Sequence, residues 1–80
     1  MKAKFFQEEK YMKISARNFL RGKVKKVTHG SVNSEIIVDL GSGVEIVSII
    51  TKESANNLKL DSGSAVYAVI KASNIMIATD

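Results

Sequence analysis

Two short segments near opposite ends of the chain combine a permanent positive charge with small hydroxyl residues. The first is residues 14–18, with the sequence ISARN, and the second is residues 70–73, with the sequence IKAS. At neutral pH their side chains donate hydrogen bonds, and only the hydroxyl groups and the amide oxygen of Asn18 can also accept one. Neither segment contains Asp or Glu. If the fold brings them together, they would form a pocket suited to a small, fully deprotonated oxyanion.

The size of the chain favours assembly. Its 80 residues make one small domain, and a domain of this size buries only about 60% of the surface that its unfolded chain exposes. The chain has no Cys and a single His, His29, which excludes disulfides and clusters of Cys or His around a metal. Oligomerisation is the remaining stabilising device, so we expect a homo-oligomer.

The charge is positive and uneven. The net charge is +4, and nine of the twelve basic residues lie between Lys2 and Lys26. Such a distribution suits nucleic acid, an acidic partner or small anions, although most of these lysines taken singly fit a solvated surface. No segment approaches the ~20 apolar residues of a membrane span. The polar residues 7–10 stand where a signal peptide needs an apolar core, so we expect a cytoplasmic protein.

The hydrophobic pattern predicts strands and one helix. Residues 1–11 lack strand alternation and are interpreted as a flexible N-terminal extension, and residues 12–80 as a single domain. Alternation predicts a bulged strand, and glycine-containing turns separate the segments that follow. Thr51 is the expected helix N-cap. The predicted strands are residues 19–27 with a bulge near Lys25, 32–40, 44–50, 64–71 and 74–78, and the helix ends by Leu60.

This order of elements predicts an all-β fold with one short helix, namely a small, five-stranded, OB-like barrel that assembles as an oligomer. Residues 36–38 and 46–50 are apolar on both faces of their strands. An isolated antiparallel sheet usually has one polar face. A barrel interior together with a partner subunit would bury both.

The ordered set of short motifs resembles the molbindins, the small molybdenum-pterin-binding (Mop) proteins, and the related TOBE domains of molybdate transporters and repressors. The motifs are MKISARN at residues 12–18, GSVNSE at 30–35, DLG at 39–41, IT at 50–51 and IKAS at 70–73. The resemblance implies an OB-like fold, a hexamer built as a trimer of dimers, and oxyanion sites between subunits. It also implies storage or buffering of molybdate, with tungstate accepted, no organic cofactor and no catalysis.

The resemblance also implies which residues bind the anion. The main site would comprise Ser15, Arg17, Thr51, Lys71, Ala72 and Ser73, shared between subunits. Molybdate is tetrahedral, doubly charged and unprotonated, and it needs cations and donors only. Arg17 supplies a forked pair of N–H groups and Lys71 a point charge. A second oxyanion site would be lined by Gly30, Ser31, Val32 and Asn33, and His29 would make binding sensitive to pH if it points inward.

Two alternatives remain open from the sequence. A small basic OB module could bind nucleic acid, but such modules stack bases on exposed aromatic residues, and residues 32–50 contain none; nucleic acid is therefore not expected. The chain could instead act as an oxyanion sensor for a partner protein. An enzyme is not expected, because the sequence contains no paired carboxylates and no nucleophile with a matching base.

Overall fold

The computed structural model describes residues 2–4, 11–13 and 16–80. Six strands, one short α-helix and one 3-10 helix follow one another along the chain. The strands are β1 (Lys2–Lys4), β2 (Tyr11–Lys13), β3 (Asn18–His29), β4 (Asn33–Gly41), β5 (Val44–Thr51) and β6 (Ala65–Ile70). The α-helix α1 (Lys52–Asn57) lies between β5 and β6, and the 3-10 helix (Ala72–Asn74) follows β6. No helix in these ranges has the length and apolar character needed to cross a membrane.

The larger sheet has four strands in the order β5-β4-β3-β6, and β1 pairs with β2 in a separate antiparallel sheet. Both β3 with β4 and β4 with β5 are antiparallel. The predicted bulge is confirmed, because the β3–β4 register shifts between Val24 and Lys26. The fold confirms the predicted OB-like, all-β class with one short helix. A strand at residues 2–4 was not predicted, and the division of the chain near residue 12 stays a prediction.

The residues form two compact units, one of residues 21–67 and one of residues 1–20 with 68–80. The core of the first unit lies on the inward face of β3, β4 and α1, where the fully buried apolar side chains are Val24, Ile36, Val38 and Ala55. Inward side chains of β5 and β6, among them Ile46, Ile50 and Val66, pack against this cluster. In β4 and β5, period-2 alternation thus directs every second side chain toward the core.

Two glycine features shape the first unit. The β4–β5 turn passes through positive φ at Gly41 (92°), Ser42 (53°) and Gly43 (78°), as predicted for this glycine-rich turn. Gly22 in β3 has a different role. A Cβ at this position would lie 2.7 Å from the backbone oxygen of Asp39, so only glycine allows β3 and β4 to approach this closely.

The predicted fifth strand of the sheet, residues 74–78, is wrong. Residues 72–74 form the 3-10 helix, and residues 75–80 have no regular secondary structure. Ile75 has extended dihedral angles (φ −99°, ψ 124°), but a strand also needs a neighbour to which it can hydrogen-bond. Met76 and Ile77 are 92% and 86% exposed. The segment is therefore apolar, and extended at Ile75, but it lacks the pairing that would make it a strand.

Candidate functional site

The two donor segments meet next to a hydrogen bond between β3 and β6. Asn18, the first residue of β3, donates from its side-chain Nδ2 to the backbone oxygen of Ile70, the last residue of β6, over 3.2 Å. These residues are 52 positions apart in sequence. Arg17 precedes Asn18, and Lys71 follows Ile70. Arg17 and Lys71 therefore have neighbouring backbone positions within the unit of residues 1–20 and 68–80.

Arg17 and Lys71 are both exposed to solvent. Exposed guanidinium and ammonium groups can turn toward an anion while their charged ends stay hydrated. Because both side chains can change rotamer, their charged groups can converge on a smaller or a larger tetrahedral anion. The candidate site therefore consists of two cationic side chains that can change rotamer. Their backbones are held together by the Asn18–Ile70 hydrogen bond.

The backbone after Lys71 turns at once into the 3-10 helix. The first bond of this helix runs from the N–H of Asn74 to the oxygen of Lys71, over 2.9 Å. The N–H groups of Ala72 and Ser73 lie before that bond, so the helix does not use them. Lys71 makes no side-chain cap. These two amides, with the exposed hydroxyl of Ser73, add donors beside the Lys71 ammonium group.

Thr51 lies in the other unit, at the junction of β5 and α1. As predicted, it is the helix N-cap: its Oγ1 accepts a hydrogen bond from the N–H of Ser54 at 3.0 Å. The same hydroxyl donates to Ser54 Oγ at 2.8 Å. To donate to an anion, Thr51 would have to exchange that second bond for one to the ligand.

The second predicted site, residues 30–33, is the loop that joins β3 to β4 and the first residue of β4. Internal bonds hold it: the N–H of Gly30 donates to the oxygen of Asn33 at 2.7 Å, and the oxygen of Val32 accepts from the N–H of Lys52 at 2.8 Å. Ser31 and Val32 are exposed. The loop is thus a fixed, open surface rather than an enclosed pocket in this unit.

His29 makes a contact that the sequence did not indicate. Its Nδ1 lies 2.6 Å from the Oγ of Ser34, a residue that pairs with it across the β3–β4 ladder and is 1% exposed. The imidazole therefore satisfies a buried hydroxyl group at the base of the loop. Protonation would leave His29 only a donor in this bond, which Ser34 can accept.

The structure brings together four residues of the predicted main site: Arg17, Lys71, Ala72 and Ser73. Ser15 lies outside the described residues, and Thr51 lies in the other unit. Sequence reasoning named Asn18 as part of the first segment but missed its bond to Ile70. An Asn at the start of a strand was the available signal, because buried amides need partners. That one site draws on two subunits stays a prediction.

Comparisons with known proteins identify the family of the chain. The TOBE domain family model matches residues 14–77. A "Probable molybdenum-pterin-binding protein" of Haemophilus influenzae is 41% identical over 69 residues, which cover 86% of this chain and 100% of that protein. The residues that the family model matches, 14–77, include both donor segments.

Solved structures with the same fold include a molybdate-binding protein from Sporomusa ovata, with a TM-score of 0.80, 38% identity and coverage of 85% of this chain and 100% of that one. The molybdate-bound form of the cytoplasmic molybdate-binding protein ModG has a TM-score of 0.78 and 46% identity, with 81% of this chain and 46% of that chain covered. Family model, relatives and structures all point the same way, and the chain belongs to the TOBE domain family.

Proposed function

We propose that this chain is a cytoplasmic molybdate-binding protein that stores or buffers the oxyanion. The observation that carries the proposal is the Asn18–Ile70 hydrogen bond, which joins the two donor segments although they lie far apart in sequence. The relatives support the choice of anion, since they are named as molybdenum-pterin-binding and molybdate-binding proteins.

The chemistry of the donor set favours a dianion without a proton. Arg17 and Lys71 supply two positive charges, which matches the charge of molybdate. The hydroxyl and amide donors of Ala72 and Ser73 complete the set. Inorganic phosphate carries at least one proton near pH 7 and is best held by a site with an acceptor. Neither donor segment contains a carboxylate, so phosphate should bind poorly. Tungstate has the charge and shape of molybdate and is proposed as a second ligand.

The proposed assembly is a hexamer, a trimer of dimers, in which Ser15 and Thr51 complete the main site and neighbouring subunits share it. The loop at residues 30–33 is proposed as a second oxyanion site. The role is binding, without catalysis and without an organic cofactor, because the donor set holds an anion and offers no general base within the two segments.

Calorimetric titration of the purified protein with molybdate tests this proposal, with sulfate and phosphate as matched anions. We expect a saturable isotherm for molybdate and much weaker heats for the other two. Sulfate is the strict control, because it has the same charge and geometry and differs in size. Equal, weak binding of all three anions would show that Arg17 and Lys71 belong to a non-selective basic surface, and the proposal would fail.

A further inference from the structure

The two-stranded ribbon of β1 and β2 has a basic face that anion binding does not use. Its antiparallel register has three residue pairs, namely Lys2 with Lys13, Ala3 with Met12, and Lys4 with Tyr11. Alternate residues of a strand lie on the same face, and so do residues directly opposite each other in a ladder. Lys2, Lys4 and Lys13 therefore share one face with Tyr11, and we call these four residues the lysine face. The ribbon contains no acidic residue.

The ribbon lies outside the part of the chain that the TOBE domain model matches. Its second strand ends at Lys13, and the matched residues begin at 14. The charge of the lysine face therefore needs an explanation of its own, separate from the two donor segments.

The register leaves the ribbon in need of a further contact. Lys2 and Lys13 are directly opposite each other, and like charges in such positions destabilise a ladder. A two-stranded ribbon on its own is at best marginally stable in water. A partner that brings negative charge to the lysine face would therefore stabilise the ribbon as it binds.

The edges of the ribbon indicate what kind of partner fits. Among the residues that the structure describes, β1 and β2 pair only with each other, so each has one unpaired edge. An extended peptide can bind such an edge as an added strand: main-chain hydrogen bonds supply affinity, and alternate side chains supply specificity. The strand β1 has lysines at two alternate positions, and β2 has one lysine. Acidic residues at alternate positions of a strand added to β1 would form opposite-charge pairs with Lys2 and Lys4.

Other anionic partners match less of the ribbon. Neither nucleic acid nor a membrane surface can extend a β-ladder. Proteins that bind single-stranded nucleic acid stack successive bases on several aromatic residues, and the ribbon has one, Tyr11. Stable attachment to a membrane needs a second signal besides a basic patch. An acidic peptide uses both the edge and the charge.

We propose that the outer edge of β1 binds an extended acidic peptide of another protein, with Glu or Asp at every second position. The peptide adds a third strand to the ribbon, and its carboxylates pair with Lys2 and Lys4. This interaction goes beyond the proposed molybdate binding. No residue of the donor set takes part, so either proposal can fail while the other holds.

Fluorescence anisotropy of the full chain with labelled peptides tests the inference. The probe is TEVEVET, in which Glu occupies every second position. Its control is ETVEVTE, which has the same composition and charge but places Glu at every third position, so that successive carboxylates fall on opposite faces. We expect wild-type protein to bind the probe about tenfold more tightly than the control. Equal affinity for the two peptides, or tighter binding of an oligothymidylate with three phosphates, overturns the inference.

Reversal of the charge on β1 gives the sharper test. Lys2→Glu combined with Lys4→Glu should weaken TEVEVET binding about tenfold or more, because opposite charges across the ladder become like charges. The same variant should gain affinity for TKVKVKT, which also shows that its ribbon still forms. The matched control combines Lys52→Glu with Lys59→Glu. It changes the net charge equally at two exposed positions of the other unit and should bind TEVEVET as wild-type protein does.

The two double variants together decide the outcome. Loss of TEVEVET binding and gain of TKVKVKT binding in the β1 variant alone support the inference. Unchanged TEVEVET affinity in that variant, loss without the gain for TKVKVKT, or an equal loss in the control variant overturns it.

Discussion

Arg17 and Lys71 have the charges that a dianion needs, but both side chains are exposed. Water screens exposed charges strongly, so a single exposed cation binds an anion weakly. Affinity must come from convergence of several donors on one point. The backbones of residues 17 and 71 are held near each other by the hydrogen bond between Asn18 and Ile70, which is partly buried. The residues proposed to bind the anion and the residues that hold them in position are therefore distinct.

Removal of either cation should weaken anion binding without unfolding the protein. We expect Arg17→Ala and Lys71→Ala each to reduce the binding free energy of molybdate by roughly 1.5–3 kcal/mol, the usual loss for a charge-assisted hydrogen bond. Calorimetry measures the affinity and circular dichroism checks the fold.

The control for these variants is Lys59→Gly. It removes one positive charge away from both donor segments, at a position whose φ of 53° glycine adopts easily. Its molybdate affinity should equal that of wild-type protein. Wild-type affinity in both Arg17→Ala and Lys71→Ala would place the site elsewhere.

Asn18 should matter for affinity although it is not proposed to touch the anion. Asn18→Ala removes the donor to Ile70 and leaves that oxygen without this partner, so we expect a loss of about 1 kcal/mol in the free energy of unfolding. Molybdate affinity should fall as well, because the Arg17 and Lys71 backbones are no longer held together. Urea unfolding and calorimetry measure the two effects.

Asn18→Asp provides the comparison. It has the same shape but no donor, and it adds a negative charge beside the site, so its molybdate affinity should fall further than that of Asn18→Ala while stability falls by a similar amount. If both variants bind molybdate as wild-type protein does, the link between β3 and β6 does not position the cations.

At the scale of elements, Gly22 makes the close approach of β3 and β4 possible. In Gly22→Ala the new Cβ would lie 2.7 Å from both the backbone oxygen of Asp39 and the Cγ1 of Val38. Since a ladder oxygen cannot move freely, we expect a loss of about 1–3 kcal/mol in the free energy of unfolding, as for other overpacked cores. Asn57→Ala, an exposed change at the end of α1, should stay within about 0.5 kcal/mol. An equally stable Gly22→Ala would contradict the close packing.

Most elements were predictable because they depend on local patterns. Period-2 alternation located β3, apolar runs separated by a glycine-containing turn located β4 and β5, and the change of phase between Val24 and Val27 located the bulge. The 3-10 helix and the unpaired residues 75–80 were not predictable in this way, since a strand requires a neighbour that the local sequence does not specify.

The candidate site was predictable to the same extent. Residues Arg17 and Lys71 could be recognised from their segments, because charge and hydroxyl content are properties of the residues themselves. The Asn18–Ile70 bond could not, because it depends on the relative position of β3 and β6. The role of Ser34 was missed for the same reason: its burial and its contact with His29 follow from the register of the ladder.

At the scale of the whole molecule, the net charge of +4 opposes self-association, and a bound dianion should relieve part of that repulsion. If subunits share the main site, molybdate binds the assembled state alone and must stabilise it. We expect the dissociation constant of the oligomer to fall when molybdate is added. A ligand at 100 times its Kd contributes about 2.7 kcal/mol per site.

Sedimentation of dilute protein with saturating molybdate and with equal sulfate measures this effect, and sulfate controls for ionic strength. Arg17→Ala should show a smaller response to molybdate than wild-type protein. Dissociation that is the same in both salts would mean that each site lies within one chain, which would refute a shared site without refuting anion binding.

The bulge in β3 has a consequence for how this chain tolerates changes of length. Lys25 is the extra residue between Val24 and Lys26, and every other residue from Lys23 to His29 already has its own partner on β4. Deletion of Lys25 would therefore straighten the strand and keep Val24 and Val27 facing the core. Deletion of Val24 or Val27 would also close the bulge, but it would place a lysine, Lys25 or Lys26 respectively, at an inward position. A strand with twelve residues thus has one position where shortening leaves the inward and outward faces as they are.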